Sequence, residues 1–562
     1  MKTVKFLSMA ALVTAGAILA SCEKEEPAPD PQENPEAVET PADNIVVCSA
    51  TVNLAAGTTK ALTPEGVKTF AESEKIAIFY KNTSGSFVKA VSEPLTVVDI
   101  TNEGKTASFT FQLANPDKTV NVRYVYPPDM ITEDGMMPNP ALLVAQDGTL
   151  DSVSSNLDLA YGYGPWDGEN LPGITLENQL AILAITLKNA DGSSDITGTI
   201  TGMTLSDGEQ SCTVTRSAAP GPIYVAIPPI SNKNIEITAT AGPKAYIKSL
   251  TGKTYAANNG YNVSWRMTQG PTDLSKVNSD YTAGNGETLT GTLGGNYKVS
   301  IADGAVVTLY GVTINGTNNA SYKWAGLNCL GDATIILADG STNTVKGFYE
   351  TYPGIHVRSN KKLTIQGTGT LNASSYGYGA GIGGGYAINC GNIEIQNGII
   401  NASCIDNAAA IGSGRNARCG NIDISGGYVT ATSGWGAGIG TGYYYSETTS
   451  CGNISITGGT VIATGGHHCA GIGSGSNGNS GAITISSAVT SVTATKGSEA
   501  NDCIGKGWGG SCGGVKFGDQ TMHDGSSWTT TPTSGSTYSG LSLTISQTAY
   551  EADTWTLTPV AP

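Results

Sequence analysis

Charge is scarce in this chain. Only 14% of its 562 residues are charged, and 46 acidic side chains outnumber 30 basic ones, for a formal charge of -16. A surface of that sign repels phosphate backbones and bare anionic membranes, which makes nucleic acid a poor partner. Metal-ligand spacing is missing as well. Neither Cys-x-x-Cys nor His-x-x-x-His occurs among the 11 cysteines and 4 histidines, so zinc has no support and no metal or cofactor is expected. The amino-terminal apolar run, Phe6 to Leu19, is too short to span a bilayer. Length alone allows two to four domains.

What the chain has instead is glycine, 74 of them, and a repeat. A small residue followed by an aliphatic recurs at Gly326-Leu327, Gly354-Ile355, Gly381-Ile382, Ala410-Ile411, Gly438-Ile439, Gly471-Ile472 and Cys503-Ile504, in steps of 28, 27, 29, 28, 33 and 32 residues. A second phrase returns in register at Cys390 to Ile395, Cys419 to Ile424, Cys451 to Ile456, Ser480 to Ile485 and Cys512 to Phe517, most often as Cys-Gly-Asn-Ile-x-Ile. A third, Gly-Gly-x-Val-x-Ala, stands at Gly426 to Ala431 and Gly458 to Ala463, with a relative at Gly369 to Ala373. Period-2 writing of this kind means short strands, and three of them per ~29 residues without helical periodicity predict one coil of a parallel β-helix. Seven coils at ~4.8 Å give a rod of roughly 34 Å before caps.

The cysteine ladder Cys390, Cys419, Cys451 and Cys512 reads as stacked inert thiols, since Ser480 and Lys361 take the same slot in other coils. His467-His468-Cys469 is a weak metal signal, because neighbours in an extended chain point to opposite sides.

At the amino terminus Lys2 and Lys5 precede the apolar run, which reads as a signal peptide over residues 1–21. Leu19-Ala20-Ser21-Cys22 resembles the lipobox of bacterial lipoproteins, which implies cleavage before Cys22 and its acylation. Several acyl chains anchor a protein durably in the lipid bilayer. Loss of Lys2 and Lys5 takes the formal charge from -16 to -18. The acidic, proline-rich tract 22–44 reads as a self-repelling stalk. Its Lys24-Glu25-Glu26 is similar to the export signal that carries some Gram-negative lipoproteins to the cell surface, so the expected location is the outer membrane, facing outward.

Between Val46 and Met267 irregular strands such as Lys75 to Tyr80, Ser108 to Leu113, Val120 to Tyr126, Leu180 to Leu187, Pro222 to Ile227 and Ile235 to Ala239 predict two antiparallel sandwiches, divided at the turn-rich Gly162 to Gly173. Thr58-Thr59-Lys60-Ala61, Ile76 to Tyr80, Leu180 to Leu187 and Ala256 to Tyr261, in that order behind a lipobox, resemble the fimbrillin family of lipoprotein pilus subunits, tips and anchors. Lys60 stands where many fimbrillins have Arg, which puts maturation by an arginine-specific protease in doubt. A chain that continues into a solenoid suits a tip, an accessory subunit or an independent adhesin better than a polymerising shaft. The expected architecture is all-β: sandwiches over 45–161 and 162–268, then a parallel β-helix over 275–562. The solenoid resembles glycine-rich right-handed β-helix modules of bacterial surface proteins, some described as carbohydrate-binding-like.

Two functions are open to it. The outward column of the second strand, read as Thr308, Thr334, Thr364, Glu394, Asp423, Ser455, Thr484 and Lys516, sets Glu394 beside Asp423 at a separation near ~5 Å that suits a retaining glycosidase. No third acid, Arg or His recurs beside them, so a surface-anchored polysaccharide lyase or glycoside hydrolase is the alternative and a non-enzymatic adhesin the main expectation. Tyr376, Tyr378, Tyr386, Trp435, Tyr443, Tyr444, Tyr445 and Trp508 fall in the corners around the Gly-Ile phrase. Rings gathered on one rigid edge suit the apolar faces of sugars, or shield the ends of the interior stack. A glycan, a host or matrix protein and other fimbrial subunits are the expected partners.

Overall fold

The computed structural model describes residues 44–54, 69–129, 143–157, 159–443, 449–547 and 553–560. Cys22 and its stalk, the Thr58 to Ala61 motif with Lys60, and Tyr444 and Tyr445 lie outside them. Among the described residues no helix is long and apolar enough to cross a membrane.

The architecture is all-β. The first unit is an eight-stranded sheet in the order Phe87–Val91, Ala77–Lys81, Val122–Tyr126, Ala160–Gly164, Ile174–Asn178, Ile45–Leu54, Thr106–Ala114, Ile100–Thr101. It closes around Val52, Ile78, Phe109, Phe111, Tyr124 and Leu176. The second unit packs a three-stranded sheet centred on Ala181–Lys188 against a six-stranded sheet centred on Ile230–Ala241 and Gly202–Ser206. Its core includes Leu183, Leu187, Met203, Val214, Ile237 and Trp265.

The division expected at Gly162 to Gly173 falls inside the first sheet. Ile174–Asn178 pairs with Ala160–Gly164 on one side and with Ile45–Leu54 on the other. The turn-rich stretch is therefore a hairpin connection, and turn composition does not distinguish a hairpin from a linker. Conversely Ala145–Gln146 pairs with Ser211–Thr215 of the second unit. Between the two, Val153 of the short helix Leu150–Asn156 and its C-cap Leu157 join Ala77, Phe79, Val125, Leu180, Ile182 and Ala226 in an apolar seam. That seam explains why Ala77–Lys81 and Ala181–Lys188 run apolar instead of alternating: each has a core on both faces.

The solenoid follows. Its first ladder stacks Leu327, Ile355, Ile382, Ile411, Ile439, Ile472 and Ile504, the aliphatics of the seven repeated phrases, in parallel register. Two strands without the phrase, Tyr281–Ala283 and Val299–Ile301, precede them in the same nine-stranded sheet. The second ladder stacks Ile395, Ile424, Ile456, Ile485 and Phe517 inward, all buried. Its outward column runs Val306, Thr334, Thr364, Glu394, Asp423, Ser455, Thr484 and Lys516. Thr308 is not in it. It pairs with Ile336, because Ala305–Asn315 begins two residues earlier than its local pattern suggests. The third ladder runs through Thr370–Ser375, Ile399–Cys404, Tyr428–Ser433, Thr460–Thr464 and Ser491–Thr495.

The repeated phrases have a steric cause. Asn392 Oδ1 accepts from the Asn421 N–H at 2.8 Å, Asn421 Oδ1 from the Asn453 N–H at 3.0 Å, and Asn453 Oδ1 from the Ala482 N–H at 3.0 Å. This ladder crosses from coil to coil at each corner. The glycine before each asparagine leaves room for it, since a Cβ at Gly420 would sit 2.3 Å from Asn392 Oδ1. Cys390, Cys419, Cys451 and Cys512 are free, buried thiols. The Cys390 thiol beside Cys419, with burial, holds the Cys419 thiol well above its ordinary value, so it stays protonated and unreactive. Lys361 does not share their slot, because Lys362 pairs with Asn392 and shifts Lys361 by one.

Both ends of the solenoid are covered. Thr272–Asp273 pairs with Thr288–Thr292 directly after the second sandwich, and buried Glu287 accepts from Lys244 Nζ at 2.6 Å and from the Tyr281 hydroxyl. At the far end Asp553–Pro559 pairs antiparallel with Ser491–Thr495, and Gln520–His523 folds back on Val515–Phe517. The tail thus loses the repeat and caps the stack, as expected of a terminal segment.

Candidate functional site

At the corner between the third ladder and the first, the described residues of the solenoid place three of their five exposed rings, Tyr386, Trp435 and Trp508. Each coil contributes one loop before the Ile-Gly step and one after it. Glycine is required at the step: Gly412, Gly440 and Gly473 have φ of +134°, +133° and +132°, and a Cβ on Gly440 would lie 1.9 Å from the Gly473 carbonyl oxygen. The loops after the step are held by a ladder of hydroxyls. Ser413 Oγ accepts from the Gly442 N–H at 3.0 Å, Thr441 Oγ1 from the Gly475 N–H at 2.7 Å, and Ser474 Oγ from the Gly507 N–H at 2.9 Å. Backbone bonds tie neighbouring loops, including Trp435 N–H to Asp406 O and Trp508 N–H to His468 O. Side chains on these loops are therefore presented on a rigid frame.

Their rings form a row along the solenoid axis. Tyr378 and Tyr386 lie 5.8 Å apart, with the Arg415 guanidinium of the next coil 4.9 and 5.7 Å from their centroids. One coil further Trp435 meets Tyr443 at 6.4 Å. His467 follows at 5.1 Å from Trp435, His468 lies 3.7 Å from His467 at 88°, and Trp508 lies 5.6 Å from His468. Tyr386, Trp435 and Trp508 stay 39%, 43% and 52% exposed. Of the residues expected on this edge, Tyr378, Tyr386, Trp435, Tyr443 and Trp508 are on it. Tyr376 is not: its hydroxyl donates to Gly316 O at 2.7 Å and Lys346 Nζ sits 3.6 Å over its ring, so it seals the corner.

His467 and His468 complete the row, against the expectation of opposed side chains. His468 has φ 64°, and that left-handed residue breaks the alternation on which the expectation rested. Burial and the neighbouring His467 push the His468 imidazole below its ordinary value, with Glu499 opposing, so it is neutral at pH 7. Its Nδ1 lies 3.5 Å from the Glu499 carboxylate. No local motif marks Arg415, His467 and His468, and the sequence reading of this edge rested on its tyrosines and tryptophans alone. Acidic groups stand beside it at Glu350, Asp406 and Glu499. Burial raises the Asp406 carboxyl, and Arg415 draws it back. Among the described residues no three His, Cys, Asp or Glu side chains gather to hold a metal ion.

The carboxylate pair is elsewhere, on the outer face of the second ladder. Glu394 and Asp423 are register partners. Lys362 Nζ at 2.8 Å, Gln396 Nε2 at 2.7 Å and Thr364 Oγ1 at 3.3 Å occupy the Glu394 carboxylate, and the Lys362 contact first of all holds it below its usual range. Burial, then Glu394, raises Asp423. The two sit on a flat sheet face. A cavity of ≈ 520 Å³ lies in the second sandwich instead, lined by residues such as Leu143, Leu205, Cys212 and Ile235.

Comparison with known proteins adds the following. A family model described as a beta helix repeat matches residues 363–386, 422–443 and 454–476, all within the solenoid. No curated protein matches the chain. A fimbrial assembly protein of Parabacteroides distasonis is similar at 11% identity and a TM-score of 0.24, over 39% of this chain and 90% of that one. The tip fimbrial protein of Porphyromonas gingivalis, with a C-terminal truncation, is similar at 9% identity and a TM-score of 0.21, over 39% of this chain and 94% of that one.

Proposed function

We propose that the chain is a non-enzymatic cell-surface adhesin, anchored in the outer membrane through acylated Cys22, whose solenoid displays a glycan-binding edge. One observation carries the reading: the row from Tyr378 to Trp508 offers a planar group on each of five successive coils, held by backbone and hydroxyl ladders and open to solvent at Tyr386, Trp435 and Trp508. Rings on a rigid edge bind with little loss of side-chain entropy. The fimbrillin-like motifs of residues 45–268 support service as a tip or accessory subunit, the sandwiches setting the edge away from the cell. The alternative, a polysaccharide lyase or glycoside hydrolase at the outer membrane, has less behind it. Glu394 is engaged by three side-chain partners, Lys362, Gln396 and Thr364, which leave its carboxylate little freedom to act as an acid or a nucleophile.

Attachment of cells carrying the protein to glycan-coated surfaces tests this. Trp435→Ala with Trp508→Ala should lower attachment about tenfold, at ~0.5–1.5 kcal/mol per ring, with the thermal transition unchanged. Glu394→Gln should leave attachment as it was, and Cys22→Ala should shed the protein into the medium. Release of reducing ends that Glu394→Gln abolishes would establish the enzyme instead.

A further inference from the structure

We infer that the edge takes a linear, extended and electrically neutral polysaccharide, laid parallel to the solenoid axis and contacting about five sugar units. The inference rests on the glycan-binding reading above and adds the polymer's shape, direction and charge. Its basis is the spacing of the row. Tyr378 and Tyr386 belong to the coil of Ile382, Arg415 to that of Ile411, Trp435 and Tyr443 to that of Ile439, His467 and His468 to that of Ile472, and Trp508 to that of Ile504. Successive coils rise by ~4.8 Å, so the row spans about 19 Å with no coil left bare. An extended pyranose chain advances by about one ring length per unit, close to that rise. A chain along the axis then meets a fresh planar group at each sugar, whereas one lying across the solenoid meets only one or two.

Charge selects among such chains. Glu350 O accepts from the Tyr378 N–H and Asp406 O from the Trp435 N–H, which places both acids on this corner, and Glu499 stands against His468. Arg415, the guanidinium of the row, interacts with Asp406 and lies 4.9 and 5.7 Å from the ring centroids of Tyr378 and Tyr386. The His468 imidazole is held neutral. In the row itself three carboxylates stand against one guanidinium, with Lys346 held over the Tyr376 ring and Lys506 Nζ donating to Ser526 O, and that balance disfavours sulfated and uronic-acid polymers. Sugar hydroxyls, in contrast, find acceptors in the carboxylates.

Titration of the full chain with β-1,4-linked glucose, mannose and xylose oligomers of one to eight units, followed by tryptophan fluorescence and calorimetry, tests the inference. At least one neutral series should gain affinity roughly two- to tenfold per unit up to about five units and then level off. Trp508→Ala should move the plateau to about four units, and Trp508→Phe should restore it. A monosaccharide or disaccharide that binds as well as the hexamer would overturn the axial arrangement while leaving a glycan-binding edge in place. Preference for oligogalacturonate over every neutral series would overturn the charge assignment. Absence of binding to any glycan, on titration or on coated surfaces, would remove this inference and the proposed function together.

Discussion

At the Ile-Gly step the backbone itself excludes every side chain. Gly440 has φ +133°, and an added methyl would meet the Gly473 carbonyl at 1.9 Å. Gly440→Ala should therefore cost about 3 kcal/mol or more in the denaturant unfolding of the solenoid, from backbone strain of ~1–3 kcal/mol plus the clash. Gly340 separates the two causes, because it has φ +66° and open space around its Cβ direction. Gly340→Ala should cost only ~1–2 kcal/mol. The recurrence of these glycines was legible in the sequence, and so was the recurrence of asparagine after Cys-Gly. Their reasons were not, since the atom that each glycine avoids and the N–H that each asparagine serves belong to a coil about 30 residues away.

Short strands carry the element scale. Ile424 is buried in the stack between Ile395 and Ile456, while Asp423 beside it is exposed. Ile424→Ala should cost ~2–5 kcal/mol through the cavity it leaves, and Asp423→Ala no more than about 0.5 kcal/mol, both read from the denaturation midpoint. Equal costs would mean a register one residue off. Period-2 alternation made this register readable where strands repeat. It failed at Thr308, where a long strand turns a corner, and at Gly162 to Gly173, where turn residues close a hairpin within one sheet.

The whole molecule depends on its closed ends. A parallel ladder leaves an unpaired edge at its last coil, which templates pairing with another chain. Asp553–Pro559 and Leu541–Gln547 cover that edge, with Trp555 and Leu557 adding to the core. Deleting residues 537–562 should make the chain form concentration-dependent aggregates by light scattering while the sandwiches keep their own unfolding transition. Light scattering unchanged from that of the full chain would show that Val515–Phe517 and its hairpin suffice as a cap.

Periodicity by itself determined the solenoid, its three ladders, the inward aliphatics and the corner in which the rings lie, because each coil repeats the same local steric demands and the repeat writes them out seven times. Tertiary structure alone decided which rings share the edge. It turned Tyr376 inward onto Gly316, brought Arg415 against both Tyr378 and Tyr386, and set His467 and His468 between two tryptophans through one left-handed residue. It also moved the boundary between the sandwiches, since Ile174–Asn178 finds its partners in the first sheet. Contacts of that kind join residues far apart in the chain, where no local pattern records them.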